Sequence, residues 1–402
     1  MPQYLAPGVY VEEVPSAVKP IAGVGTSTAG FVGQVADTVD MPPQPGKFQL
    51  DPNTHQPVLG ADGKPIPIPY TVATSGEPQL VTSWESFKTK FGDFQAGNLT
   101  LAHALYGFFN NGGTRCWVTR LSDALSADTV RAALQRFRAI DEIAIVAVPG
   151  TLDAGIQGEV LDHCEKAGDR FAVLDGQRAT TFDVSSIKGT ERTSNYAALY
   201  FPWISVYDPV SKGNIFAPPS GHMVGVYART DTERGVHKAP ANEVVRGALG
   251  VEARLSKADQ DGLNPDGINV IRLFDSNVTV WGARTLGGDA NMEWKYINVR
   301  RLFLYLRESI DKGTQWVVFE PNDQALWAKI TRNITAFLTN VWRAGALFGS
   351  TPQEAFYVKC DAETNPPEVR DLGQVVTEIG VAVVKPAEFV IFRISQWAGP
   401  GK

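Results

Sequence analysis

The segment Pro218-Pro219-Ser220-Gly221-His222-Met223 holds the strongest candidate chemistry, a serine opening a helix with a histidine two residues on. A serine hydrolase needs the imidazole brought opposite the hydroxyl by the fold and oriented by a carboxylate. Ser220 and His222 are too close in sequence for that arrangement, and the Gly-x-Ser-x-Gly elbow is absent. Asp153, Asp175 and His103 join them only by arbitrary choice, and Ser220 as a helix N-cap accounts for the same residues. Gly23-Val24-Gly25-Thr26-Ser27-Thr28 begins like a dinucleotide fingerprint but has Thr28 at the third glycine and no preceding strand. It reads instead as a flexible hinge. Asp259-Gln260-Asp261-Gly262-Leu263 resembles a calcium loop, yet Leu263 stands at a ligand position and Val270 where the bidentate glutamate belongs. Turn chemistry explains its Asp, Asn, Gly and Pro content. Cys116, Cys164 and Cys360 are far apart and odd in number, so neither a disulfide framework nor a zinc site is indicated. The expectation is no catalytic residue, no metal and no cofactor.

Stepping from these residues to the elements that carry them, residues from about 101 to 235 alternate between helix and strand. Cys116–Thr119, Ile143–Val148, Phe171–Leu174 and Leu199–Val206 are predicted buried strands. Ser126 caps a predicted helix running to about Ile140. The alternation implies a mainly parallel sheet covered on both faces, an α/β fold. Residues 40–80 are rich in proline and glycine and hold a predicted hairpin over 57–66 turning on Asp62-Gly63. After 280 come a largely apolar helix over 294–311, a short strand over Trp316–Glu320 and a second helix from Pro321 to about Trp342. On the latter Trp327, Ile330, Ile334, Phe337 and Val341 recur at helical spacing. Strands near 354–360, 373–384 and 387–396 are predicted to finish the chain.

The 402 residues carry a net charge of −6 with 20% charged and 44% hydrophobic residues, the profile of an ordinary soluble protein and not of a basic nucleic-acid binder. No apolar run approaches the roughly 20 residues of a membrane-spanning helix, and no secretory signal is read at the start. Charge is uneven. Residues 281–349 hold nine cations against six anions, leaving −9 on the remainder. Lys329, Arg332 and Arg343 on the second helix are therefore candidate contacts to an acidic partner.

Both ends carry strand-like runs. Val9, Tyr10, Val11 and Val14 lie between Pro7-Gly8 and Pro15, and Phe389, Val390, Ile391, Phe392 and Ile394 form an apolar, β-branched and aromatic run at the other end. Such edges aggregate unless they pair. Terminal strands that reach another copy of the chain make a polymer-forming protein.

Several segments resemble the contractile tail sheath family of phages, tailocins and extracellular contractile injection systems. They are Tyr4–Glu13, Gly112–Val118, Pro218–Arg229, Leu263-Asn264-Pro265, Trp281–Leu286, Tyr296–Arg301, Phe319–Asn322 and Lys385–Phe389, in the family's order. The resemblance implies an arm and start of an inner domain over 1–35, and an outer α/β domain over 36–280, subtilisin-like in fold but without the triad. It further implies an inner α+β sheath domain over 281–384 and a terminal arm strand over 385–402. The implied function is non-enzymatic. Subunits polymerise as rings or a helix around an inner tube in an extended metastable state, then contract to drive the tube through an envelope. Implied partners are further copies, the tube protein, which Lys329, Arg332 and Arg343 are candidates to face, and baseplate and cap proteins, with no nucleic acid and no membrane insertion. Assembly is expected in the bacterial cytoplasm, in a phage tail or a released particle. The rival classes are a serine hydrolase and a static shell or binding protein.

Overall fold

The computed structural model describes residues 20–179, 181–190 and 192–393. Two compact units emerge. One is an α/β unit over Val24–Arg307 together with the chain from Val383 onward, and the other comprises Glu308–Ala382 with the described residues up to Gly23. These divisions fall at different points from the expected boundaries at 35, 280 and 384. Residues 29–34 form a strand in the middle of the main sheet, and the 281–307 segment bonds to that sheet, for example through Leu286 N–H to Ala197 O.

The α/β unit begins with β1 (Ala29–Gln34), then the small pair β2 (Pro43–Phe48) and β3 (Pro67–Pro69), and β4 (Gln79–Val81). Next come α1 (Trp84–Phe91), α2 (Leu99–Asn110), β5 (Cys116–Leu121), α3 (Ala127–Phe137), β6 (Ile145–Ala147) and α4 (Ala154–Ala167). They are followed by β7 (Phe171–Asp175), α5 (Val184–Ile187), β8 (Ala197–Phe201), β9 (Ile204–Asp208), β10 (Gly213–Ala217) and α6 (Ser220–Arg234). The unit continues through β11 (Glu243–Val244), β12 (Ala248–Val251), α7 (Lys257–Leu263), β13 (Ile268–Phe274) and β14 (Asn277–Val280) into α8 (Ile297–Thr314). Nine strands form one sheet in the order β11-β14-β13-β8-β7-β6-β1-β5-β4. The six from β13 to β5 run parallel, and antiparallel strands close both edges. The predicted 199–206 strand is two strands, because β9 leaves the main sheet to pair with β10 and β12.

Alternation along each strand explains why these runs read as continuously apolar. Ala29, Phe31, Phe171, Val173, Ala198 and Tyr200 face one core with α2 and α6, while Val32, Ala172, Leu174, Leu199 and Phe201 face a second with α3 and α4. Each fully buried large side chain contributes about 1.5–3 kcal/mol, so both faces must be covered. Helix α3 starts where expected, with a reciprocal Ser126–Thr129 capping box. Helices α2 and α6 pack against each other at backbone distance. A Cβ at Gly221 would lie 2.4 Å from Ala104 Cα, and one at Gly225 2.5 Å from Phe108 O.

In the other unit, α9 (Gln324–Arg343) is capped by the Asp323 side chain, which accepts from Leu326 N–H. It buries Trp327, Ile330, Ile334, Phe337 and Val341, the stripe read from the sequence. Helix α10 (Pro352–Ala355) leads into β15 (Phe356–Lys359), and α11 (Pro367–Asp371) lies in the connection to β16 (Glu378–Val381), which pairs antiparallel with β15. The predicted Trp316–Glu320 strand is instead a 3-10 turn at Gln315–Val317 followed by an exposed Phe319 with φ 67°. Among the described residues no strand pairs with it. The 57–66 hairpin is present as a narrow turn, with Ile66 N–H donating to Val58 O and Gly63 at φ 72°.

Candidate assembly site and the roots of the arms

Ser220 is the first residue of α6 and does not cap it; Pro219 holds the cap position. Its N–H and Oγ both donate to Asp175, at 2.7 Å each, and Gly150 N–H donates to the same carboxylate at 2.9 Å. Burial pushes the Asp175 carboxyl up to about 6, against the pull of those donors. Serine and carboxylate thus meet directly, with no imidazole between them. His103 Nε2 lies 3.2 Å from Asp208, and buried His222 has no partner at Nδ1 and is lowered to about 3 by its burial. Among the described residues no histidine hydrogen-bonds to Ser220 Oγ, so the relay a triad requires is not assembled. Asp153 caps α4 by accepting from Ile156 N–H.

The other chemical candidates are also structural. Ser256 caps α7, and Asp259 completes the capping box from the third helical position, accepting from Ser256 N–H and Oγ at 2.7 Å each, so its carboxylate is engaged. Among the described residues no group of three or more His, Cys, Asp or Glu could hold a metal ion, and no helix is long and apolar enough to cross a membrane. The Gly23–Thr28 hinge is fastened at Thr26. Its Oγ1 donates to Asp231 at 2.6 Å, and its carbonyl accepts from Arg301 at 2.9 Å. Arg301 grips Asp231 through two nitrogens, at 2.8 and 2.6 Å, with both side chains at most 4% exposed.

A second polar cluster fastens Glu388. Glu388 accepts from Arg284 Nε at 2.7 Å, Arg284 Nη2 at 2.9 Å, Asn264 Nδ2 at 2.7 Å and Tyr296 Oη at 2.9 Å. Arg284 is 3% exposed and also meets Asp289, which pairs with Lys295. Burial alone would raise the Glu388 carboxyl, but the Arg284, Asn264 and Tyr296 donors hold it below its usual range. The sequence reading missed this cluster, although its members sit in the Leu263-Asn264-Pro265, Trp281–Leu286, Tyr296–Arg301 and Lys385–Phe389 segments. The signal was there: three separate polar motifs and one acidic residue inside an otherwise apolar tail.

Beyond Glu388 the predicted strand is not formed. Phe389, Val390, Ile391 and Phe392 are 69–84% exposed, and among the described residues Phe389–Arg393 make no backbone hydrogen bond. Ile394, Val9, Tyr10, Val11 and Val14 lie outside the described residues. Of the nine cations over 281–349, Arg284, Lys295, Arg301 and Lys312 are ion-paired, Arg307 donates to Gly168 O, and Arg300 stacks on Tyr196 and Trp294. Lys329, Arg332 and Arg343 on α9 are exposed and form no ion pair among the described residues.

The polar clusters fasten and cap local structure, and an exposed apolar segment follows Glu388. Residues 124–286 match the phage tail sheath protein central domain, and residues 289–396 match the phage tail sheath C-terminal domain. The chain belongs to the tail sheath family. The tail sheath protein of Vibrio phage KVP40 is 25% identical over 354 residues, covering 82% of this chain and 50% of that protein. The chain spans about half the length of the first curated relatives it matches. Among solved structures, the anti-feeding prophage helical sheath in the contracted state is 30% identical with a TM-score of 0.74, covering 97% of this chain and 99% of that one. The PVC sheath complex of an extracellular contractile injection system, also contracted, is 28% identical with a TM-score of 0.74, covering 99% of both chains.

Proposed function

We propose that this chain is the structural subunit of a contractile sheath, polymerising around an inner tube in an extended state and shortening to drive the tube through a target envelope. The observation that carries the reading is the Phe389–Phe392 segment, a strand-forming sequence left unpaired beyond a fastened root in a member of the tail sheath family. An extended segment of this kind adds to a neighbour's sheet, with main-chain hydrogen bonds giving affinity and alternate side chains giving register. The N-terminal run Val9, Tyr10, Val11 and Val14 is the counterpart arm. The α/β unit is the outer, subtilisin-like part without a catalytic role, and the Glu308–Ala382 unit is the inner part. Lys329, Arg332 and Arg343 face the tube, and baseplate and cap proteins bound the polymer. Assembly takes place in the bacterial cytoplasm, in a phage tail or a released tail-like particle. The energy is stored in two packings of similar free energy, biased by a trigger, so no nucleotide and no active site is needed.

Deleting residues 389–402 tests this while leaving Glu388 in place. The truncated chain stays soluble with an unchanged melting transition and forms no sheaths by negative-stain microscopy. Full sheaths from the truncated chain overturn the arm reading. Wild-type tubes of one fixed length before and after triggering overturn contraction in favour of a static shell.

A further inference from the structure

The tail of the chain returns from one unit to the other before it ends. Residues up to Ala382 belong with α9 and β15–β16, whereas Val383 onward belongs with the α/β unit. Polar contacts hold this return. Asn298 Nδ2 donates to Val384 O at 3.3 Å and to His237 O at 2.8 Å, and Glu388 is gripped by Arg284, Asn264 and Tyr296. Four donors converge on one carboxylate, two of them in the fork of a guanidinium that is itself buried. A bidentate guanidinium–carboxylate pair fixes direction as well as position. The residue immediately after it, Phe389, is 69% exposed. The clamp therefore ends where the unpaired segment begins.

We propose that the Glu388 clamp is the fixed root of the C-terminal arm. It anchors the chain to its own α/β unit, so that residues 389–402 leave at a set point and in a set direction toward a second copy of this chain. The inference rests on the arm-exchange reading above and adds to it the residues that aim the arm. The geometry gives the anchor a measurable consequence. With Glu388 held, the reach of the arm is set by the residues after it. Released, the four residues from Lys385 to Glu388, beyond the Asn298–Val384 contact, join the tether, adding roughly 13 Å at about 3.3 Å per residue. A longer, undirected tether lowers the effective concentration of the arm at its docking edge and loosens the register that strand pairing needs. Glu388 is thus a positioning residue for assembly. Arg284, Asn264 and Tyr296 are its receptor.

The test uses the full chain with a spin label at Ala387→Cys, an exposed position beside the clamp. The three native cysteines are buried. In the otherwise wild-type chain the label is immobilised. Glu388→Ala mobilises it and leaves the α/β unit folded with a lowered melting transition, since Arg284 keeps only Asp289 and the Asn264 carbonyl as partners. It lowers the yield of sheaths, counted by negative-stain microscopy after co-expression with the tube protein, by tenfold or more. Arg284→Met, which lowers stability by a similar route, serves as the folded control for the label. Glu388→Gln, which keeps the shape and some acceptor capacity, gives an intermediate result, and Tyr296→Phe a smaller shift in the same direction. An immobile label in Glu388→Ala overturns the clamp, and so does a mobile label with undiminished sheath yield. Failure of the unsubstituted chain to form sheaths overturns the functional reading instead, while the label on the monomer still decides whether the clamp holds the tail.

Discussion

The Arg301–Asp231 pair permits a worked stability prediction. Asp231→Asn is nearly isosteric and keeps an acceptor for Thr26 Oγ1, but it leaves a guanidinium that is 3% exposed without its anion. The acceptor that remains to Arg301 is Thr26 O, at 2.9 Å, and the Tyr227 ring lies 4.9 Å from its centre. Removing one partner of a buried pair costs about 3–5 kcal/mol, because the other charge stays in low dielectric. At 1.4 kcal/mol per factor of ten this exceeds a hundredfold in the folding equilibrium, a large share of the 5–15 kcal/mol that keeps a typical domain folded. The double variant Asp231→Leu/Arg301→Met removes both charges and recovers at least about 2 kcal/mol of that loss. Recovery stays incomplete, since Thr26 loses its hydrogen bonds. Urea denaturation of all four chains in the cycle gives the coupling energy. A cost below about 1 kcal/mol for Asp231→Asn, or a coupling below about 0.5 kcal/mol, refutes the claim that this pair fastens the segment at Thr26.

Asp175 makes stability depend on pH. Its folded value of about 6 lies above the ordinary 3.8, so its contribution is fully present below pH 3.8 and is lost as pH rises through 6. Asp175→Asn removes that slope, gaining up to about 2 kcal/mol on wild type between pH 4.5 and 7.5; parallel urea midpoints at the two pH values contradict this. At the α2–α6 crossing, Gly225→Val forces a Cβ to 2.5 Å from the Phe108 carbonyl and destabilises by about 1–3 kcal/mol or more. Gly158→Ala on α4, where nothing lies within 4 Å, stabilises by about 0.5–1 kcal/mol, and thermal melts separate the two. Reversing Lys329 and Arg332 to glutamate leaves monomer stability within about 0.5 kcal/mol and impairs assembly on the tube, whereas normal extended sheaths from that variant refute the tube-facing assignment.

The parallel sheet was legible because strands buried on both faces are apolar at every position, as Val173 and Leu174 are, although β1 over Ala29–Gln34 was not read as a strand. The α9 stripe was legible because its apolar positions follow the helical period. Two strand expectations failed for one shared reason: pairing depends on what lies beside a segment, which local composition does not encode. Trp316–Glu320 has strand-like composition but pairs with no strand among the described residues. Leu199–Val206 splits because β9 has partners outside the main sheet. Phe389–Phe392, expected to pair with another copy, is exposed within the single chain. Polar contacts at long range were the least legible of all. Ser220 meets Asp175 across 45 residues and Glu388 meets Asn264 across 124, and neither spacing has a period to betray it.

The two roots share one construction, and the choice of construction carries information. At Thr26 and at Glu388 the chain is fastened by a buried arginine forked onto a carboxylate, Arg301 onto Asp231 and Arg284 onto Glu388. Buried ion pairs are poor sources of net stability, since apolar residues of similar volume often do as well or better. What the guanidinium fork supplies that an apolar contact does not is direction. Direction matters for a strand offered to another molecule, because side chains alternate with period two and a slip of one residue turns every side chain to the wrong face. A root held at a fixed angle limits such slips before pairing starts. On the proposed arm exchange, the two polar clusters fix the α/β unit's chain at Thr26 and at Glu388, and the exposed, apolar Phe389–Phe392 segment is what a second copy's edge would pair with.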